Sequence, residues 1–247
     1  AALSERMGGR VHLASRVQRI SRREAEGHRL EVEVQGRDGP WRIAARAVVV
    51  ATPPWSATPL LTSVAPQASA ALAELESPPL TVVSLACARA DVTDPLRGFG
   101  FLVAPGENAR ILGCLWPSSV FADRAPDGHV TFTVFVGGAR DPRGAELEEG
   151  ALVDGVRQDL ARILDVQGKT EVLAIDRYSR SIPQYTLGHS RRLERVRAGL
   201  ASAPGIFLAG NYFDGISVGD CLSQASKTAS DVREYLKASV DFSPSSV

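Results

Sequence analysis

The chain has 247 residues, and its 28 lysines and arginines balance 28 aspartates and glutamates, so the formal net charge is zero. Apolar residues make up 44% and charged residues 23%, an ordinary globular balance. A nucleic-acid partner is disfavoured because there is no basic excess to neutralise phosphates, and no apolar run reaches the ~18 residues of a bilayer-crossing helix.

The length allows one large or two smaller domains, each able to bury a core. Cys87, Cys114 and Cys221 lie far apart, without metal-ligand spacing, and an odd count gives no disulfide framework. They read as buried thiols in a reducing compartment. The four histidines are equally scattered, so no metal site is expected. The chain opens without an initiator Met or a signal peptide. Leu3, Met7 and Gly8-Gly9 read as the tail of a helix with a glycine stop. The expectation is a piece of a longer polypeptide.

In chain order, residues 10–50 read as short strands. Val11–Leu13 is followed by Val17–Ile20, a charged turn over Arg22–Gly27, and Leu30, Val32 and Val34 alternating with Glu31 and Glu33. Arg37-Asp38-Gly39-Pro40 is turn chemistry, and Trp41 and Ile43 alternate again. Val48–Ala51 is apolar on both faces, as a fully buried strand would be. It stops at Thr52-Pro53-Pro54 because proline lacks a ladder donor. A helix is expected over Pro66–Glu76, then strands at Leu80–Ala88, Phe99–Val103, Arg110–Trp116 and Val130–Val136. In the last of these the even positions form an apolar face, and Phe135 stands out on the polar one. It needs a cover, either a helix or a ligand. Glu146–Val166 is an amphipathic helix with Leu152, Val153, Val156, Leu160, Ile163 and Leu164 inward and Asp154, Arg157, Asp159 and Arg162 elsewhere. A strand follows at Glu171–Tyr178, then an extended turn at Ile182–Tyr185. A helix at Gly188–Leu200 carries Arg191, Arg192, Arg195 and Arg197, read as a solvated face or a contact with anionic lipid.

The final segment runs strand (Gly205–Gly210), glycine-containing loop (Asn211–Gly219) and helix (Asp220–Leu236). Unpaired N–H groups and the macrodipole at such a helix start favour negative charge, although many structural turns share this pattern. There is no G-x-G-x-x-G after an early strand and no P-loop lysine, so a complete phosphate cradle is not expected. Residues 238–247 read as a disordered tail.

Several of these stretches together resemble one family, the oxygen-dependent protoporphyrinogen oxidases of the flavin monoamine-oxidase-like superfamily. They are Val48–Pro54, Gly98–Val103, Arg110–Leu115, Ile182–His189 with its Pro-Gln-Tyr and Gly-His, and Leu208–Asn211 continuing through Gly215–Cys221. The resemblance runs from about residue 3 to residue 236 and corresponds to the C-terminal half of such an enzyme. Departures are mild: Ser217 and Gly219 replace residues the family often has as Gly or Ala and Asn, and Tyr178 stands where some members have Trp.

The resemblance implies a mixed α/β (α+β) fold, with part of an FAD-binding Rossmann-like domain (1–56 and 204–237) and an antiparallel-sheet substrate domain (57–203). It implies FAD as cofactor, met by Val17, Ala51, Tyr178, Gly210, Gly215, Ile216 and Ser217. The implied substrate is protoporphyrinogen IX, walled by Phe99, Leu102, Leu115 and Phe135, with oxygen as electron acceptor. The flavin carries the redox chemistry, so no catalytic side chain and no metal ligand is assigned. The implied partner is the missing N-terminal segment. A peripheral contact on the inner face of the cell membrane and a homodimer are both compatible with it, in a cytoplasmic protein. The competing readings are another flavin amine oxidase and an apo fragment without activity of its own.

Overall fold

The computed structural model describes residues 2–25 and 28–238. Two compact units divide the chain: Ala1–Glu76 with Tyr185–Val247, and Ser77–Gln184. The mixed α/β architecture with antiparallel sheets implied by the resemblance is present, together with one two-stranded parallel pair. Among the described residues no helix is long and apolar enough to cross a membrane.

The first unit opens with α1 (Ala2–Met7) and an antiparallel sheet of β1 (Arg16–Ala25), β2 (His28–Gly36) and β3 (Gly39–Ala45). Alternation works as read: Leu30, Val32 and Val34 are buried, while Glu31 and Glu33 reach Arg42 at 3.7 and 3.2 Å. Three local expectations change. Val11–Leu13 is not a strand; Leu13 is exposed, and the chain bends through Ala14 at φ 51° before β1. Arg22–Ala25 continues β1 instead of turning, while Glu26 and Gly27 lie outside the described residues. Gly39, at φ 118°, already pairs with Gly36, so the turn is only Arg37-Asp38.

A short β4 (Val48–Val50) leads into α2 (Pro54–Leu61) and α3 (Pro66–Ala73). The sequence suggested only a stop at Pro53-Pro54. Pro54 instead begins α2 at its first turn, where a missing N–H costs nothing, and Ala57 and Leu61 enter the core.

The second unit is a five-stranded antiparallel sheet with one long helix. Its elements are β5 (Leu80–Ala88), β6 (Gly100–Leu102), β7 (Ile111–Leu115), β8 (His129–Gly137), α4 (Glu149–Leu164) and β9 (Glu171–Tyr178), in sheet order β6-β7-β8-β5-β9. One sheet face, carrying Val83, Leu85, Cys114, Phe132 and Val134, is buried with Leu152, Val156, Leu160 and Leu164 of α4. Asp159, grouped with the solvent-facing residues by the sequence, is buried. Its Oδ2 accepts from the amides of Arg110 (2.7 Å) and Ile111 (3.2 Å), and its Oδ1 pairs with Arg162. A buried carboxylate is tolerable because those donors replace water.

The chain returns to the first unit through α5 (His189–Ala201), β10 (Ile206–Leu208) and α6 (Val218–Ala238). The parallel pairing of β10 with β4 places Ile206, Phe207 and Leu208 beside Val48, Val49 and Val50. Val50 is buried, but Val49 is 43% exposed, so this strand is not covered on both faces as expected. α2, α3 and α5 share a core with β1 and β2 through Ala57, Leu61, Leu72 and Val196. With that shared core, the compact units divide after residues 76 and 184, where the resemblance implied divisions after 56 and 203. Ala238 ends α6, and the rest of the expected 238–247 tail lies outside the described residues. Cys87 and Cys114 are buried as expected; Cys221, on α6, is only half-buried.

Candidate functional site

β4 and β10 end side by side, with the Ala209 amide donating to the Val50 carbonyl at 3.2 Å. Ala51 and Gly210 leave these adjacent ends. From there the loop Gly210–Ser217 climbs to the start of α6. Ser217 and Asp220 form a reciprocal cap: the Asp220 amide donates to Ser217 Oγ at 3.1 Å, while Ser217 donates to Asp220 Oδ2 from its amide (3.1 Å) and hydroxyl (2.6 Å). These bonds, the hydroxyl's first, hold the Asp220 carboxyl below its usual range. The amides of Val218 and Gly219 find no acceptor among the described residues. Gly215 adopts φ 125°, where a Cβ would strike the Asp220 carboxylate, so only glycine fits this bend.

Side chains outside the loop hold its shape. Tyr185 Oη accepts from the Gly215 amide at 3.1 Å and donates to the Asn211 carbonyl at 2.8 Å. Its ring stacks on His189, with centroids 4.0 Å apart and 13° between planes. His189 Nε2 meets the Tyr212 carbonyl at 3.0 Å, so that nitrogen carries the proton. The Gln224 amide, in the orientation that satisfies both its ends, donates to Gly210 O (2.8 Å) and accepts from the Asp214 amide (2.9 Å). Arg197 pairs with Asp214 at 3.6 Å and lies over the Phe213 ring. Arg192 and Arg195 both reach Glu74. Three of the four arginines of α5 are thus tied down.

Of the residues expected at the flavin, Ala51, Gly210, Gly215, Ile216 and Ser217 are gathered in this loop region. Ile216 is half-exposed and Val218, next along, is 79% exposed. Val17 is also in the first unit, but on β1, in the separate three-stranded sheet. Tyr178 ends β9 in the second unit, half-exposed. The sequence had offered Tyr185 and His189 only as part of a motif, and Gln224 and Asp220 were given no role. Their partners are a loop brought to them by the fold, which spacing does not reveal.

The expected substrate wall maps to the second unit. Cross-strand pairing sets Leu102, Gly113, Phe135, Val82 and Asp176 in one row, and Gly100, Leu115, Thr133, Ser84 and Ala174 in the next. These rows lie on the sheet face opposite α4. Within this unit no helix covers Phe135. Leu102 is 85% exposed and Phe99, just before β6, 68%. A Cβ at Gly100 or Gly113 would strike the backbone and side chains of the neighbouring strand, so both glycines let β6 and β7 approach closely.

The family model described as flavin-containing amine oxidoreductase matches residues 1–233. The chain belongs to this family. Among curated relatives of the flavin-containing amine oxidoreductases, it is 30% identical over 245 residues to protoporphyrinogen oxidase 1 of Arabidopsis thaliana, covering 95% of this chain and 45% of that protein. It is 29% identical over 193 residues to coproporphyrinogen III oxidase of Bacillus subtilis, covering 78% of this chain and 41% of the relative. A solved Exiguobacterium structure assigned as a protoporphyrinogen oxidase superposes with a TM-score of 0.67 at 26% identity, covering 89% of this chain and 47% of the other. Putrescine oxidase shares the fold, with a TM-score of 0.64 at 16% identity over 93% of this chain and 50% of the other. The chain spans less than half the length of the curated relatives it matches.

Proposed function

We propose that this chain is part of an FAD-dependent oxidase that converts protoporphyrinogen IX to protoporphyrin IX with oxygen as electron acceptor. The observation that carries the reading is the uncovered face of the five-stranded sheet. Leu102, Leu115, Phe135 and Val82 offer an apolar wall suited to the body of a tetrapyrrole, with Ser84, Thr133 and Asp176 as the polar positions of the same two rows. The names of the porphyrinogen-oxidising relatives support it.

The residues of the first unit fit a flavin edge. Two backbone N–H groups at the start of α6, without an acceptor among the described residues, are flanked by the exposed apolar side chains of Ile216 and Val218, matching a flat ring with a polar rim. When bound, the flavin supplies the two-electron oxidation and the reaction with oxygen. Gly210, Gly215, Ile216 and Ser217 would line its edge, and the Val218 and Gly219 amides would favour negative charge there. Phe135, Leu102 and Leu115 would orient the porphyrinogen and exclude water. A cytoplasmic location is part of this proposal; on α5, Arg192 and Arg195 pair with Glu74, and Arg197 pairs with Asp214.

The test is a substrate panel on the intact flavoprotein: protoporphyrinogen IX, coproporphyrinogen III and a primary amine, followed by porphyrin fluorescence and peroxide. Porphyrin formation from protoporphyrinogen IX is expected. Turnover of the amine alone would replace this reading with an amine oxidase.

A further inference from the structure

We propose that Tyr185 is a positioning residue for the reaction, a clasp that fixes the curvature of the Asn211–Gly215 arc in the form presented to the flavin. The proposal rests on the reading above that this loop meets the flavin. The arc has one backbone acceptor and one backbone donor turned toward the same hydroxyl: the Asn211 carbonyl at 2.8 Å and the Gly215 amide at 3.1 Å. A hydroxyl can accept and donate at once, so one oxygen sets the distance between the two ends. Burial raises the Tyr185 pKa, the Gly215 bond opposing it, so the group stays a phenol and keeps the proton it gives to Asn211.

The clasp is itself fixed. The Tyr185 ring is stacked on His189, whose Nε2–H is committed to the Tyr212 carbonyl inside the same arc. Gln224 and the Ser217–Asp220 cap hold Gly210, Asp214 and the helix start. Among the described residues the Gly215 amide has no acceptor but Tyr185 Oη, so no other group replaces the clasp at the glycine-only bend. Tyr185 is also the first residue after the chain leaves the second unit. The returning segment between β9 and α5 therefore locks the loop at its point of entry.

The experiment uses the intact FAD-loaded protein carrying Tyr185→Phe, which keeps the stacked ring and removes both hydrogen bonds. Amide exchange at Gly215 should quicken roughly 2- to 10-fold, the worth of one hydrogen bond, with β10 still protected. The flavin midpoint potential should shift and kcat should fall while KM holds. Tyr212→Phe is the control: its hydroxyl is buried without a partner among the described residues, so its loss should leave Gly215 exchange unchanged. Unchanged Gly215 exchange in Tyr185→Phe overturns the proposal, and so does faster exchange with an unmoved potential and kcat. Failure of the unmutated protein to bind FAD or oxidise porphyrinogen would instead overturn the functional reading, independently of the bond measured at Gly215.

Discussion

His189 shows what one residue contributes here. Its ring is buried, donates from Nε2 to the Tyr212 carbonyl, and leaves Nδ1 without a partner among the described residues. Protonation would create a second buried donor with no acceptor. Burial therefore lowers the His189 pKa from its ordinary value; the Tyr212 bond opposes this and Arg192 adds to it. The unfolded chain then takes up the proton first, so the stabilisation is full above about pH 6.5 and is lost as pH falls through the lower folded pKa. Urea midpoints measured down through that range should drop faster for the native protein than for His189→Gln, which keeps a donor and cannot titrate. Parallel curves would show that His189 does not control this slope. Neighbouring residues on β8 give a second contrast. Phe132 is fully buried, and Phe132→Ala should cost about 3–5 kcal/mol of stability. Phe135 is half-buried on the uncovered face, and if the proposed function holds, Phe135→Ala should instead raise KM for protoporphyrinogen by roughly 5- to 150-fold in the intact flavoprotein, about 1–3 kcal/mol of binding, with little loss of stability. Reversed effects would mean that the strand's two faces have been exchanged.

Elements here are positioned by backbone approach as much as by side-chain burial. Gly199 of α5 lies where a Cβ would strike the Ala68 backbone nitrogen of α3 and come 3.0 Å from the Ala68 Cα. Helix propensity favours Ala over Gly by about 0.8–1.0 kcal/mol, but parting two packed helices typically costs about 1–3 kcal/mol. Gly199→Ala should therefore destabilise the protein. Gly150, in the first turn of α4, has open space around its would-be Cβ, and Gly150→Ala should stabilise by up to about 1 kcal/mol. Thermal melts of both variants check the pair; a stabilised Gly199→Ala would mean that α3 and α5 have slack. This difference explains what the sequence could convey. β8 was legible because alternation along Val130–Val136 reports a half-covered sheet, whereas β9, which is broken by a register shift against β5, buries no such alternating row. α2 was hidden because three prolines in seven residues look like breaks, although Pro54 sits where a helix tolerates it. Asp159 was misread because its partners, the Arg110 and Ile111 amides, lie about fifty residues away. The loop glycines Gly210 and Gly215 were singled out by resemblance alone, and the bonds of Tyr185 and Gln224 to that loop depend on tertiary folding.

At the scale of the molecule, α6 is the unusual element. It has 21 residues, and none is buried. Leu222 and Val218 are exposed, as are Ile216 in the preceding loop and Val49 on β4. A parallel sheet ordinarily has both faces covered, yet the parallel pair here has two strands of three residues. A long helix with no buried residue and a parallel pair left this open are surfaces that a covering segment would protect, and the curated relatives are more than twice as long as the part this chain matches. If the chain is the C-terminal part of such an oxidase, as the resemblance implies, an N-terminal segment would bring the dinucleotide cradle that this sequence lacks, while this chain would bring the loop proposed for the flavin edge. The chain alone should then retain little FAD through gel filtration. Adding the N-terminal segment as a separate polypeptide should restore a yellow complex and slow amide exchange along α6 and at Val49. Retention of one FAD per chain without that segment would show that the loop and α6 hold the cofactor by themselves. Restored colour with α6 still exchanging freely would show that the covering surface lies elsewhere.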